Sequence, residues 1–426
     1  MCIRDRLLSL FSGCGGMDIG FEGNFSIIQN TLNKDIHKDW IAQEKGKYIT
    51  LAETIFETVF ANDINKYAKI AWDNYFSSKR GESLNETFKV ESIVNLVKRY
   101  RAGEKDIFPS DIDIVTGGFP CQDFSIAGRR NGFNSHKDHN GKIIDHSIPT
   151  SETRGQLYIW MKEVIKITKP KIFIAENVKG LANLGKVKDI IQHDFSKIDG
   201  NGYFVFSPKV LHAGNYGIPQ SRERIFFIGV KKSALKKEML KKLEAGQIEA
   251  ELSPYPIPTH RINGELHYSI YESKLQKFVA VKHVVEDLLE PEEAEDLSQK
   301  YFSKAKYMGA HCQGQNELKL DKLAPTIRAE HHGNIEYRRL SLGNGGKNLL
   351  EIEKGKKERR LTLRECARIQ TFPDDFNFVI PSENSGRKFQ LSASQGYKLV
   401  GNAVPPLLAY HIAKKIESVW AFYFKE

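Results

Sequence analysis

The stretch Leu7-Leu8-Ser9-Leu10-Phe11, followed by Ser12-Gly13-Cys14-Gly15-Gly16, decides the fold. An apolar run of this length suits a strand buried on both faces, and the glycines after it permit a tight turn against a ligand. Working outward, the pattern repeats. Residues 56–61 read as a strand ending in Asn62-Asp63, with a helix over 66–75 behind it. Residues 112–116 form a strand stopped by Gly117-Gly118. A helix over 157–167 and a strand over 171–175, ending at Glu176-Asn177, come next, and residues 203–211 and 224–230 add two more strands. Strands alternating with helices predict an α/β fold: a parallel sheet covered on both faces, with chemistry gathered at the carboxyl ends of its strands.

Beyond residue 231 the rhythm changes. Residues 231–245 read as a Lys-rich amphipathic helix, and Pro254, Pro256 and Pro258 read as a linker. Residues 259–358 lack the strand–helix alternation. Their acidic run, 286–296, reads as a solvated helix face, and the basic run 354–360 as an exposed face near a polyanion. Helical pattern returns over 361–370 and again over 407–421. The plan is a large α/β domain, residues 1–230 completed by 390–426, interrupted by a smaller, irregular unit over 231–389. Residues 1–6 read as an ill-fitting leader.

The formal net charge of +10 suits a polyanionic partner, although composition alone fits other roles equally. Five scattered cysteines without a C-x-x-C pair suggest neither a disulfide framework nor a zinc ribbon, and fit a reducing, cytoplasmic compartment. No apolar run approaches the ~20 residues that span a bilayer, so no membrane partner is expected. The histidines at 136, 139, 146, 331 and 332 match no familiar zinc spacing, so no metal is expected.

Four segments carry chemistry. The glycine turn, with Asp63 at the end of the second strand to accept from ribose hydroxyls, suits an adenosine-containing cofactor. It is not G-x-G-x-x-G, because Asp18 stands at the third glycine position. In Gly117-Gly118-Phe119-Pro120-Cys121-Gln122 a cysteine sits in a tight loop beyond a strand, although most free cysteines are simply small buried hydrophobes. Glu176 puts a carboxylate at another strand end, where a capping or paired acid is the ordinary reading. Gln220, Arg222 and Arg224 alternate toward one face, as a charge ladder or as a site for an anion or a base. Jointly they suit one reaction. Carbon 5 of cytosine becomes nucleophilic only after addition at carbon 6, which requires a thiolate, an acid near N3 and a cationic donor at O2. Cys121, Glu176 and Arg224 are those residue types.

The ordered segments Leu10-Phe11-Ser12-Gly13-x-Gly15-Gly16, Phe119-Pro120-Cys121-Gln122, Glu176-Asn177-Val178, Gln220-x-Arg222-x-Arg224 and Gly401-Asn402-Ala403-Val404 resemble the DNA cytosine-5 methyltransferases, especially bacterial modification enzymes. A sixth segment, from Arg364 to Pro373, is similar to that family's motif beside its recognition domain. The resemblance spans the chain apart from residues 1–6, about 23–55 and about 134–150. It implies a Rossmann-like, S-adenosylmethionine-dependent methyltransferase domain with a target recognition domain, S-adenosylhomocysteine as product, and double-stranded DNA as partner. A monomer paired functionally with a restriction endonuclease is the expected setting.

The resemblance also implies roles. Cys121, between Pro120 and Gln122, attacks carbon 6; Glu176 holds N3 and N4; Arg224, with Arg222 nearby, contacts O2. Phe11, Gly13, Gly15, Gly16, Asp63, Ile64, Ser92 and Asn402 hold the cofactor. Ser125, Arg129 and Arg130 lie in a loop that closes over DNA, with Gln220 on the DNA side. From the polar run 326–334, Arg328, His331 and Asn334 are candidates for target reading. Two positions depart from the family: Ser9 stands where an acid is usual, and Ser92 where an adenine-reading aspartate is usual. An RNA cytosine methyltransferase, a DNA-binding regulator without catalysis and a nicotinamide-dependent oxidoreductase are the competing readings. The long region 231–358 argues against the first, the intact Cys121, Glu176 and Arg224 against the second, and the Pro-Cys-Gln and Glu-Asn-Val segments against the third.

Overall fold

A computed structural model describes residues 4–120, 157–262, 271–329 and 335–425, apart from residues 85, 185, 201, 384, 385 and 387. Its main sheet comprises β1 (Asp5–Leu10), β2 (Phe56–Asp63), β3 (Phe88–Val90), β4 (Ile114–Gly117), β5 (Ile172–Val178), β6 (Tyr203–Val205), β7 (Lys209–His212) and β8 (Glu223–Lys231). The order is β7-β8-β5-β4-β1-β2-β3, with β6 also paired to β8. Strands β1 to β5 run parallel, whereas β8 pairs antiparallel with β5, β6 and β7.

Alternation along each strand feeds two cores. Leu7, Ile114, Ile172 and Ile174 enter one, together with the helices α1 (Gly16–Glu22), α2 (Lys66–Arg80) and the last helix, Pro406–Tyr423. Leu8, Leu10, Val115, Phe173 and Ala175 enter the other, under α3 (Ile93–Arg101), α4 (Leu157–Thr168) and α5 (Val187–Ser196). This two-sided burial explains the near-continuous apolar runs. The chain leaves β1 toward β2 on one side and returns through β4 on the other, so the order switches beside β1. Register aligns the ends: Leu10 lies opposite both Asn62 and Gly117, and Gly117 opposite Ala175. Phe11, Asp63, Gly118 and Glu176 therefore leave the sheet together.

Four sequence expectations need correcting. The strand expected over 203–211 is two, broken at Phe206-Ser207-Pro208, where proline has no N–H for a ladder. The helix expected over 231–245 is confined to Lys237–Glu244. The acidic run 286–296 is not a helix but a set of turns; Glu286, Glu292, Glu293 and Glu295 are exposed, whereas Asp287, Glu290 and Asp296 pair with buried arginines. Asp287 meets Arg368 at 2.8 Å, Glu290 meets Arg339 and Arg359 at 2.5 and 2.8 Å, and Asp296 meets Arg364 at 2.6 Å. The basic run likewise ends inward: Arg359 and Arg360 are buried, and Arg359 grips Glu365 with both terminal nitrogens at 2.8 and 3.0 Å. These charges enclose α6 (Leu363–Ile369), every residue of which is buried and which opens on a Thr362–Glu365 capping box.

Burial alone would raise the Glu290 carboxyl, but its bonds to Arg359 and Arg339 outweigh it and hold the pKa down at about 2, against 4.5 for a free glutamate. A depressed folded pKa contributes stability in full above about pH 4.5, lost as pH falls toward 2. Glu290→Gln should cost about 2 kcal/mol at pH 7, less than the ~3–5 kcal/mol of a fully enclosed pair because Glu290 is part-exposed. Urea titrations at pH 7 and pH 3 check this: the gap between wild type and variant should shrink at the lower pH.

Candidate active site

At the aligned strand ends a cavity of about 310 Å3 opens. One end is built on the first turn. Phe11 leaves β1 with φ +52°, and the Ser12 N–H bonds to the Asn62 carbonyl at 2.9 Å. Gly13 has φ +53° with nothing where a Cβ would stand; its N–H donates to Asp63 Oδ2 at 3.0 Å. The Asn65 N–H donates to Oδ1 of the same carboxylate at 2.9 Å. Two backbone donors thus fix Asp63 at the cavity wall, and a carboxylate oxygen can accept more than one donor. Gly16 serves a different need, since a Cβ there would lie 2.3 Å from the Val404 carbonyl oxygen. Ile64, Ser92 and Asn402 also line this end, Ser92 at the start of α3 and Asn402 at the end of α7 (Ala393–Asn402).

Serine at position 9 is part of a buried network. Its hydroxyl donates to Asp18 at 2.6 Å, Trp72 Nε1 donates to the other Asp18 oxygen at 2.8 Å, and Ser12 Oγ donates to Ser9 Oγ at 2.7 Å. Burial pushes the Asp18 carboxyl up to about 6. An acid from α1 thus braces the turn from beneath.

Pro120, Glu176 and Arg224 line the other end of the same cavity. Antiparallel pairing sets Arg224 opposite Val178, close enough for its Nε to meet Glu176 Oε1 at 3.0 Å. A Cβ on Gly118 would stand 3.0 Å from Glu176 Oε2, so glycine there leaves that oxygen room. Glu176 is 9% exposed, and burial raises its pKa despite the lowering influence of Arg224 and Arg222. A carboxyl in that state can hold a proton for an acceptor in the cavity. The end walled by Asp63 and Ser92, and the end where a buried carboxyl meets a guanidinium, share one space.

The chain matches the C-5 cytosine-specific DNA methylase family over residues 6–418. It belongs to that family. Type II methyltransferase M.BsuRI of Bacillus subtilis is 32% identical, the match covering 99% of this chain and 81% of the relative. M.FnuDI of Fusobacterium nucleatum is 29% identical over 97% and 94%. The fold is shared with the solved DNMT2 of Spodoptera frugiperda at a TM-score of 0.52, with 17% identity over 98% of this chain and 99% of that one. The resemblance carried by the six segments is thereby confirmed, and the protein is a DNA cytosine-5 methyltransferase with an α/β, Rossmann-like fold.

Within this methyltransferase the expected residues divide. Phe11, Gly13, Gly16, Asp63, Ile64, Ser92, Asn402, Pro120, Glu176 and Arg224 converge on the cavity; Gly15 turns beneath it with φ +85°. Cys121, Gln122, Ser125, Arg129, Arg130, His331 and Asn334 lie outside the described residues. Gln220, expected on the DNA side, is fully buried instead: its amide donates to Gln370 and accepts from the Ile327 N–H, each at 3.1 Å. Nor does Arg222 line the cavity. Its guanidinium donates to the carbonyls of Ile327, Gly401 and Ala403 at 2.8–3.2 Å. The single face expected for 220, 222 and 224 fails because Gln220–Ser221 pairs with residues 324–325, and β8 begins only at Glu223. Arg328 is half-buried, its backbone packed so closely on Gly401 that a Cβ there would stand 2.3 Å away.

Asn177 was passed over. It is buried, and its amide donates to the Phe119 carbonyl at 3.1 Å while its own oxygen accepts from Val178 N–H. It thereby ties the segment entering Cys121 to the strand that carries Glu176. The signal was present in Glu176-Asn177-Val178, where an amide beside the acid offered both a donor and an acceptor.

Proposed function

We propose that the chain methylates carbon 5 of one cytosine within a specific duplex DNA sequence, as the modification enzyme of a bacterial restriction–modification system. What carries this reading is the single cavity that joins the Asp63–Ser92 end to the Glu176–Arg224 end. The names of the Type II relatives support the restriction–modification setting, with a partner endonuclease sharing the target. Acting alone on cytoplasmic DNA, the enzyme would work as a monomer.

Phe11, Asp63, Ile64, Ser92 and Asn402 hold S-adenosylmethionine, which supplies an electrophilic methyl group when bound. The target cytosine leaves the helix, because carbon 6 is shielded within the stack. Glu176 gives a proton or hydrogen bond to N3 and Arg224 donates to O2, drawing charge off the ring. The Cys121 thiolate bonds to carbon 6, and carbon 5 becomes enamine-like and would take the methyl group as its bond to the sulfonium sulfur breaks and S-adenosylhomocysteine leaves. Loss of the carbon-5 proton expels the thiolate and restores the aromatic ring. Arg222 positions rather than reacts, tying the cofactor turn at Gly401–Ala403 to the chain that carries Arg224. Residues 1–230 and 390–426 form the catalytic domain, and 231–389 the target recognition domain.

Incubation with labelled S-adenosylmethionine and either duplex DNA or RNA, followed by bisulfite mapping, tests this. Label should appear in duplex DNA at cytosines of one sequence context. Label in RNA alone, or none anywhere, refutes the reading.

A further inference from the structure

Arg360, like Arg222, is a buried arginine whose partners are almost all carbonyls. Nε donates to Ala305 O, Nη1 to Gly314 O and Ile335 O, and Nη2 to Lys306 O and the Gln315 side-chain oxygen, at 2.5–3.3 Å. Those five bonds use all five donors of a guanidinium. The group also lies 4.2 Å from the Tyr337 ring centroid, and the Tyr337 hydroxyl donates to the same Ala305 carbonyl. Both ends of the segment 305–315 therefore close on one buried cation.

The segment between them is shaped further. Met308 N–H donates to the buried Gln315 side chain at 3.0 Å, and Cys312 N–H to Gly309 O at 3.1 Å. Gly309 and Gly314 take φ +98° and +70°. Yet apart from Gln315 its longer polar side chains face outward: Lys306, His311 and Gln313 are exposed, as is Met308. A loop with little core of its own, fixed by a fully used guanidinium, is built to hold its exposed side chains in place. Lysines suit phosphates, and His and Gln suit base edges in a groove.

Chain connectivity places the loop near the cavity. Ala329 packs on Gly401, which lines the cavity, and Ile335 is held by Arg360. Six residues of chain span at most about 20 Å. The clamp thus lies less than one turn of duplex, ~34 Å, from the cavity wall at Gly401.

We infer that Arg360 is a positioning residue for target selection, holding residues 305–315 as a preformed loop that reads the DNA flanking the target cytosine through His311 and Gln313. This rests on the proposed action on duplex DNA. A clamp of this kind lowers the ordering cost of recognition, because the loop is fixed before DNA arrives.

The test uses the full-length protein, a duplex pool randomised around cytosine, bisulfite sequencing, and S-adenosylhomocysteine binding as a control. The double variant His311→Ala/Gln313→Ala should weaken the preferred context at least about tenfold. It should raise KM for duplex more than it lowers kcat, and leave S-adenosylhomocysteine affinity unchanged. Arg360→Lys, which keeps the charge but has three donors, should shift selection in the same direction with cofactor affinity retained. Wild-type selection and KM in the double variant overturn the inference. So does an Arg360→Lys protein that loses cofactor and duplex affinity in equal proportion. A wild-type protein that methylates no duplex overturns the proposed function, and this inference falls with it; a selective wild type with indifferent loop variants overturns this inference alone.

Discussion

Cys121→Ser should lower methyl transfer by ~10^4-fold or more, the scale seen when an enzyme loses its nucleophile. The cavity carries the argument for so large an effect. Pro120 lines it, and Asn177 holds the Phe119 carbonyl, so the chain up to Pro120 is fixed at the cavity that Glu176 and Arg224 also line. A serine hydroxyl is the smaller group but has almost no anionic form near neutral pH, whereas a cysteine thiol, with a pKa of about 8.5, has a usable fraction. Addition at carbon 6 is the step that makes carbon 5 nucleophilic, so nothing downstream compensates. Single-turnover transfer and S-adenosylhomocysteine binding should separate cleanly: the first nearly abolished, the second unchanged. Wild-type turnover in the variant would refute the assignment of the attack.

Glu176→Gln should reduce kcat by ~10^2–10^4-fold, the range for loss of a positioned general acid. Glutamine keeps the shape and a hydrogen bond to Arg224 but cannot deliver a proton to N3. Burial raises the Glu176 pKa above the ordinary glutamate value, which keeps the protonated form within reach. The useful form is the acid, so the contribution of Glu176 should be complete below its raised pKa and decline as pH rises through it. The wild-type pH–kcat profile should therefore carry an alkaline limb that the glutamine variant lacks. Unchanged turnover, or the same alkaline limb in both proteins, would remove Glu176 from the chemistry.

Much of this site was legible in the chain because its strands are short apolar runs. Once β1, β2, β4 and β5 are read, the parallel register brings Phe11, Asp63, Gly118 and Glu176 to one edge without further information. Arg222 and Gln220 were not legible. Alternation says which residues share a face, but the partners that drew both inward, Ile327, Gly401 and Gln370, lie more than a hundred residues away. The same limit governs the charge runs. Asp287 and Glu290 look like solvated acids until Arg368, Arg339 and Arg359 fold against them. Ion pairs of high sequence separation leave no local pattern, whereas the Thr362–Glu365 capping box does, and it marks where α6 begins.

Covalent attack by Cys121 is most directly tested with duplex DNA carrying 5-fluorocytosine at the methylated position, supplied with S-adenosylmethionine. After attack and methyl transfer, carbon 5 bears fluorine where the departing proton would be, so the thiolate cannot be expelled. The protein should then remain bonded to DNA under denaturing conditions, with the adduct mapped by mass spectrometry to Cys121 and absent from Cys121→Ser. An adduct on another residue would contradict the account. So would no adduct from a protein that methylates the unfluorinated duplex.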